Sequence, residues 1–546
     1  MNIENGGETL QWPLGGRQKA YFEAGYLLPK TLGDWLTTWS EQFENRTAIV
    51  DKTERYTFSR LDEQATQLAF GFLNAGLKPG DKVIVQLPNC ICFVTALFAM
   101  FRIGVIPVLA MPTQRENDIA ALCEQCNPSA YLVPEKFLGF NYVAMAEKIK
   151  SAFSSIKTLF VDGVSEKHSA LSLLNCSPTA LPNINPFELA LLLLSGGTTG
   201  TPKLIPRTHS DYAFNFIESS KVCEFSSSTV YLAALPAAHN FPLGCPGIFG
   251  TLHVGGKVVM SRTPGSDEAF TLIEQEKVTT TALVPPLLKL WLSSREWDKT
   301  DIDTLSLLQV GGAKLDVETA KRVAPELGSE LQQVFGMAEG LLCYTRRNDP
   351  LDTVLKTQGR PMSCADEIKL VDGDGLPVAD GEAGELLTRG PYTIREYFNA
   401  DSHSAIAFTH DGFYKSGDIV RKTPEGNYVV EGRVKEQINR AGEKIAVSEI
   451  EPLLNLFEPI KESVIVAIPD DQLGERSCVF VTSANNEVLP TLNDLRNYLR
   501  GLGVPRYKQP DQLEITTHWP LTSVGKIDKK ALVAIAQSNM LKSQKI

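Results

Sequence analysis

No run of about 18 uninterrupted apolar residues occurs in this chain, so a membrane-spanning helix is not expected. The nearest approach, Ile91 to Ala110, is interrupted by Arg102 and broken by Gly104 and Pro107. The opening "MNIENGGETLQWPLGG" has no basic segment leading into an apolar one, and hence no secretory signal. The ten cysteines form no framework. Cys123 and Cys126 make one C-x-x-C, but no second pair or nearby histidine completes a zinc site. Cys90, Cys92, Cys223 and Cys343 sit in apolar surroundings and read as packed thiols. A reduced, cytoplasmic protein without membrane insertion is expected. A surplus of positive charge is also missing. The net charge of −11 argues against a nucleic-acid partner, although local Lys and Arg can still form one positive cleft. No internal repeat or low-complexity tract stands out.

What is present is an ordinary globular composition, 43% apolar and 21% charged. At 546 residues the chain is too long for one core, so two or more domains are expected. "SRLDEQATQLAFGFLNAGLKPGDKVIVQLPN" begins with a capping-box pattern, Ser59 with Asp62, and has helical spacing from Leu61 to Leu73. A strand, "KVIVQL", follows. Helix and strand alternate again through "ICFVTALFAMFRIG", "SAYLV" and "TLFVDG", which predicts α/β architecture with mostly parallel sheets. From about residue 355 short strands with Gly and Pro turns suggest a β-rich module. A charged segment then leads into a new α/β pattern, placing a domain boundary near Lys435. The final "SNMLKSQKI" is expected to fray.

One stretch stands apart: "LLLLSGGTTGTPKLIPRTH", residues 191–209. The run Leu189–Leu194 has the pattern of a strand buried on both faces. Gly196, Gly197 and Gly200 then allow tight turns and close backbone approach to a ligand. Consecutive N–H groups in such a loop make an anion-binding concavity, to which Thr198, Thr199 and Thr201 add hydroxyls and Lys203 a positive charge. Neither G-x-x-x-x-G-K-[ST] nor G-x-G-x-x-G is satisfied. A flexible surface loop is the competing explanation.

Four further stretches bear on the choice. "QVFGMAEG" puts Glu339 in a small-residue loop, and "FYKSGDIV" puts Asp418 in an expected turn. "EGRVKEQINRAGEKI" carries Arg433, Lys435 and Gly442, and "PLTSVGKIDKKAL" carries Lys526. In this order, with "SGGTTGTPK" upstream, they resemble the adenylate-forming superfamily over roughly residues 30 to 535. The resemblance implies a large N-terminal domain (1–434) of two α/β sheets plus a β-rich subdomain. A small mobile α+β C-terminal domain (435–546) carries the catalytic lysine. It also implies ATP and Mg²⁺: Ser195, Gly196, Gly197, Thr198, Thr199, Gly200 and Lys203 around the phosphates, with Gly312 also at the nucleotide. Glu339 is implied as metal ligand, Asp418 on the ribose hydroxyls with Arg433 nearby, and Lys526 between carboxylate and nucleotide. Lys435 matches the hinge and Gly442 the thiol channel. A carboxylate is already ionised at pH 7, so the lack of a Ser-His-Asp constellation fits this chemistry.

"LPAAHNFPLGCPGIFGTL" informs on the acid. Amino-acid-activating members of the superfamily place an Asp here to bind the substrate ammonium, whereas this chain has His239 and Asn240. An amide cannot neutralise a buried ammonium, but it can hydrogen-bond a phenolic hydroxyl. The alternative is that His239 and Asn240 merely cap local backbone. The His-Asn pair, with "FGMAEGLLCYTR", resembles stand-alone aryl-acid AMP ligases of siderophore assembly. That resemblance implies a small aromatic acid, 2,3-dihydroxybenzoate or salicylate, bound by His239, Asn240, Cys245, Gly311 and Leu342. Cys245 and Leu342 resemble the salicylate subset, since dihydroxybenzoate enzymes typically carry Ser and Val. With only twenty residues after Lys526, a separate phosphopantetheinylated aryl carrier protein is the implied acceptor. An aryl- or acyl-CoA synthetase and a non-catalytic nucleotide-binding assembly partner are the competing readings.

Overall fold

The computed structural model describes residues 16–52, 54–163, 168–171, 180–195, 203–434, 437–440, 443–470, 473–483, 489–522 and 526–543. These pack as two compact units. The first is drawn from positions up to 196, 201–367 and 388–414, and the second from 368–387 and 415 onward.

Two large sheets organise the first unit. In the nine-stranded sheet, Glu330–Gly336, Leu307–Gly311, Thr280–Leu283, Val230–Ala233, Lys257–Met260 and Thr47–Asp51 run side by side in that order. All neighbours in this series are parallel. Antiparallel strands close both edges. The seven-stranded sheet is parallel except where Leu189–Leu194 meets Leu204–Thr208. This is the expected α/β class with mostly parallel sheets. Parallel strands deliver their carboxyl ends to one edge, where the loops can be functional. Ala233, Gly311 and Gly336 are three such ends; the last two lie on adjacent strands and the first lies beyond one intervening strand, and the segments after them contain His239, Gly312 and Glu339.

The apolar run Leu189–Leu194 is buried from Ala190 onward. It pairs in parallel with Ile106–Leu109 and antiparallel with Leu204–Thr208, with Leu194 opposite Leu204. The glycine-threonine stretch is therefore the connection of a hairpin. Cys123 and Cys126 pack into the apolar core beside this sheet, and burial pushes both thiols up to about 12.

One helix start differs from expectation. The helix Phe58–Asn74 is capped by Thr57, whose hydroxyl accepts from the Arg60 N–H, rather than by Ser59 with Asp62. Asp62 is engaged elsewhere: it pairs with the buried Arg102 and accepts from the Thr37 hydroxyl. Arg102, which breaks the apolar run in the sequence, is thus a cross-link between helices.

The second unit contains a four-stranded sheet whose last two strands, Tyr414–Lys422 and Tyr428–Arg433, are antiparallel, and a five-stranded sheet built on Ile460–Asp470 and Gly474–Ser483. Helices Val447–Leu454 and Leu492–Gly501 cover the five-stranded sheet's core. The last helix runs from Lys529 to Ser543, further than the fraying expected from "SNMLKSQKI". Among the described residues no helix is long and apolar enough to cross a membrane.

Candidate active site

The ends of the glycine-threonine loop are tied at its neck. The Ser195 N–H donates to the Lys203 carbonyl at 2.9 Å, and the Lys203 N–H donates to Ser195 Oγ at 3.0 Å. Gly196, Gly197, Thr198, Thr199 and Gly200 lie outside the described residues. The ammonium of Lys203 stands 4.9 Å from the centroid of the Tyr397 ring. The Tyr397 hydroxyl donates to Glu339 Oε1 at 2.8 Å and also meets Tyr414 Oη at 2.9 Å. Burial, reinforced by the Glu339 carboxylate, pushes the Tyr397 phenol up, so it stays a donor.

Glu339 occupies a turn just past the strand Glu330–Gly336 and is 8% exposed. Its carbonyl accepts from the Ile394 N–H at 2.8 Å, which pins the turn from a second side. Lys203 and Glu339, 136 positions apart in the chain, therefore meet around one tyrosine. Sequence reasoning missed Tyr397. The only signal was an aromatic in "IREYFN", a segment that carries no recognisable motif.

The candidate ring pocket is assembled from the helix Asn240–Gly244 and its surroundings. His239 caps this helix: its Nδ1 accepts from the Phe241 N–H at 3.2 Å. The neutral ring therefore carries its proton on Nε2. The backbone-capping alternative thus holds for one nitrogen of His239. Asn240 does not cap. Its Oδ1 accepts from the Tyr212 hydroxyl at 2.9 Å, and its Nδ2 donates to Cys245 Sγ at 3.2 Å. Asn215 also donates to Cys245 Sγ, at 3.7 Å. Burial pushes the Cys245 thiol up to about 12, so the sulfur is a neutral thiol.

Gly311 ends its strand against the Phe241 ring. A Cβ there would stand 3.1 Å from Phe241 Cε1 and 2.8 Å from the Val334 carbonyl oxygen, so a side chain would displace the wall. Gly312 follows at φ +83°, a conformation that favours glycine. Leu342 is 3% exposed, opposite Gly336 on the antiparallel strand Leu342–Tyr344, and its N–H donates to the Tyr392 hydroxyl at 2.9 Å. Asn240 and Cys245 are brought into direct contact, and Gly311 abuts the same short helix through Phe241.

In the second unit, Asp418 lies within the strand Tyr414–Lys422, not in a turn between strands. The Ser-Gly-Asp composition suggests a turn, but Gly417 takes φ +71° inside the strand and the ladder with Tyr428–Arg433 begins at the next residue. Asp418 is opposite Arg433 in this ladder, and Arg433 Nε donates to its Oδ1 at 2.8 Å. Lys526 directly precedes Ile527, which bridges Leu521, and the Thr522 N–H donates to the Lys526 carbonyl at 2.7 Å. Lys435 lies outside the described residues, as does Gly442.

Residues 36–398 match the AMP-binding enzyme family and residues 449–526 match the AMP-binding enzyme C-terminal domain. The chain belongs to the AMP-binding enzymes. As a member it is an adenylate-forming ligase that uses ATP. It is similar to the 2,3-dihydroxybenzoate-AMP ligase of Bacillus subtilis, 46% identical over 94% of this chain and 95% of the relative. It is 44% identical to the salicyl-AMP ligase / salicyl-S-ArCP synthetase of Mycobacterium tuberculosis, over 95% of this chain and 93% of the relative. Among solved structures, apo MbtA of Mycobacterium smegmatis superposes with a TM-score of 0.74 at 41% identity, covering 95% of this chain and 97% of that one.

Proposed function

We propose that this AMP-binding enzyme activates a 2-hydroxyaryl acid and passes the aryl group to the phosphopantetheine thiol of an aryl carrier protein in siderophore biosynthesis. In the first step a carboxylate oxygen attacks the α-phosphorus of ATP, and the bond to pyrophosphate breaks. In the second, the thiol sulfur attacks the carbonyl carbon, AMP departs with the C–O electrons, and the thiol proton passes to solvent. The observation that carries the reading is the buried Asn240 amide. It stands where an amino-acid-activating enzyme needs a carboxylate, and it is held by Tyr212 and Cys245. An ammonium placed there would remain unpaired at a cost of several kcal/mol, whereas an amide suits a phenolic hydroxyl.

Roles then follow residue by residue. Ser195, Lys203 and the loop between them hold the β- and γ-phosphates. Lys203 is a point charge, the usual lysine role on phosphate. Glu339 fits Mg²⁺, which is commonly held by one or two carboxylates together with substrate phosphates. Tyr397 occupies only one acceptor position on one of its oxygens. Bound there, the metal supplies charge neutralisation at the phosphates. Asp418 accepts the ribose hydroxyls, and Lys526 bridges carboxylate and nucleotide. Lys435 is the hinge and Gly442 borders the thiol channel.

Coenzyme A is the competing acceptor. It is favoured by 45% identity to a protein named salicylyl-CoA synthase / salicylate adenylyltransferase from Streptomyces sp.. The salicyl-S-ArCP synthetase relative favours the carrier at similar identity. Acid-dependent pyrophosphate exchange with salicylate, 2,3-dihydroxybenzoate, benzoate and several amino acids tests the first half-reaction. Exchange with amino acids and none with hydroxybenzoates overturns the assignment. Comparing CoA with a pantetheinylated carrier as acceptor decides the second half-reaction.

A further inference from the structure

Arg207 is 0% exposed on the strand Leu204–Thr208, immediately after the phosphate-loop hairpin turns back. Its guanidinium is fastened on three sides. Nε donates to Asp211 Oδ1 at 2.7 Å, and Nη1 donates to the Ala338 carbonyl at 3.0 Å. Cζ lies 5.0 Å from the centroid of the Tyr212 ring, within cation–π range. Nη2 is buried and has no hydrogen-bond acceptor among the described residues. Asp211 is held in turn, its Oδ2 accepting from the Thr208 N–H at 2.7 Å and the Thr208 hydroxyl at 2.6 Å.

Two of these contacts lead to different halves of the site. Ala338 is the residue before Glu339. Tyr212 is the residue whose hydroxyl holds Asn240. A buried ion pair is costly, and a well-packed apolar pair of similar volume is often as stable or more so. Arginine's planar fork reaches a carboxylate, a carbonyl and a ring face together, which a lysine point charge does not. We propose that Arg207 is a positioning residue that couples the Glu339 turn to the Asn240 pocket, keeping the phosphate end and the ring end of the reacting pair in one register. This rests on the roles given above to Glu339 and Asn240.

The test uses Arg207→Lys and the paired change Arg207→Met with Asp211→Asn, which leaves no buried charge unpaired and serves if the lysine form does not fold. Pyrophosphate exchange gives the KM for salicylate and the Mg²⁺ concentration at half-maximal rate, and thermal melting reports the fold. In folded Arg207 variants both parameters should rise together, each by roughly threefold to thirtyfold. Tyr212→Phe should move only the salicylate KM, and Tyr397→Phe only the Mg²⁺ midpoint. A lowered Tm with both parameters unchanged, or movement of only one, overturns the coupling. Glu339→Gln and Asn240→Ala serve as references. If they leave the Mg²⁺ midpoint and salicylate KM unmoved, the underlying assignment fails and the coupling with it. If they respond while the Arg207 variants do not, the coupling alone fails.

Discussion

The two units each hold an arginine–aspartate pair, and the pairs are built oppositely. In the first unit Arg207 and Asp211 are buried to 0% and 9% side-chain exposure. In the second, Asp418 is 7% exposed while Arg433 is 53% exposed. The first arginine is fixed by three partners. The second reaches in from solvent, and a half-exposed ion pair contributes at most about 1 kcal/mol, so Arg433 can move aside as other groups approach Asp418. On the roles proposed above, the contrast separates cations that belong to a permanent frame from cations that take part in changing contacts. Lys203, tied through its backbone and set against Tyr397, belongs with the frame. Lys526, next to the Leu521–Ile527 bridge, belongs with the second group.

Removing a cation of the second group should disable chemistry and spare the fold. Lys526→Ala is expected to lower acyl-adenylate formation by two orders of magnitude or more, about 3 kcal/mol for a positioned charge, with an unchanged Tm. Exchange near the normal rate would take Lys526 out of the mechanism. Within the second unit's pair, Asp418→Ala should raise the KM for ATP by roughly tenfold to a hundredfold, since hydrogen bonds to a charged acceptor are worth about 1.5–3 kcal/mol. Arg433→Ala should cost about fivefold or less. Equal losses would mean that Arg433 is held as firmly as Arg207, and the contrast would collapse.

If the part of the chain beyond Lys435 turns between the half-reactions, stiffening the proposed hinge should separate them. Lys435→Pro fixes φ at the proposed hinge. Carrier loading should fall more than pyrophosphate exchange, and equal losses would remove the hinge from this position.

A buried acid without a cation extends the same comparison. Asp366 accepts from the Tyr392 hydroxyl at 3.1 Å and the Ser363 N–H at 3.3 Å, and burial raises its carboxyl to about 8. A raised carboxyl means the folded state holds its proton more tightly than the unfolded chain, whose value is near 3.9. The associated stability is complete below about pH 4 and declines as pH rises toward about 8. Asp366→Asn should flatten that decline in a Tm–pH series, raising Tm at pH 8 relative to the parent. An unchanged slope would show that Asp366 ionises freely in the fold.

The legible parts of the molecule were those with a local signature. Apolar runs announced the strands, and glycine-rich punctuation announced a loop after Leu194. The Asn240–Cys245 contact was accessible because both residues flank one five-residue helix. Tyr397 was not legible, because its meaning depends on Glu339, 58 positions away in sequence. Arg207 reads as a charge at the end of a strand, and nothing local distinguishes a strut from a solvated side chain. Ser59 and Asp62 have the spacing of a cap, but a tertiary partner, Arg102, claims the aspartate. Asp418 has the composition of a turn, but it pairs with Arg433 within a strand. Each miss is a local preference overruled by a long-range contact.

The last comparison lies in the ring pocket, where the frame is neutral. Cys245 Sγ receives both Asn240 Nδ2 and Asn215 Nδ2, yet a neutral thiol is a weak acceptor and a weak donor. Serine at this position would be smaller and would offer a stronger hydroxyl. Leu342 carries one methylene more than valine, a difference worth roughly 1–3 kcal/mol of discrimination in a tight apolar pocket. If Cys245 and Leu342 line the ring as proposed, both favour a ring bearing hydrogen at position 3, which is salicylate, while the dihydroxybenzoate and salicylate relatives stand at nearly equal identity, 46% and 44%. Cys245→Ser with Leu342→Val should therefore shift the ratio of kcat/KM values toward 2,3-dihydroxybenzoate, by about fivefold to a hundredfold. Pyrophosphate exchange with both acids measures it. If the parent already prefers dihydroxybenzoate and the double change leaves the ratio where it was, these two side chains do not read the 3-hydroxyl. The assignment to an aryl acid would survive, because it depends on the Asn240 amide and not on its neighbours.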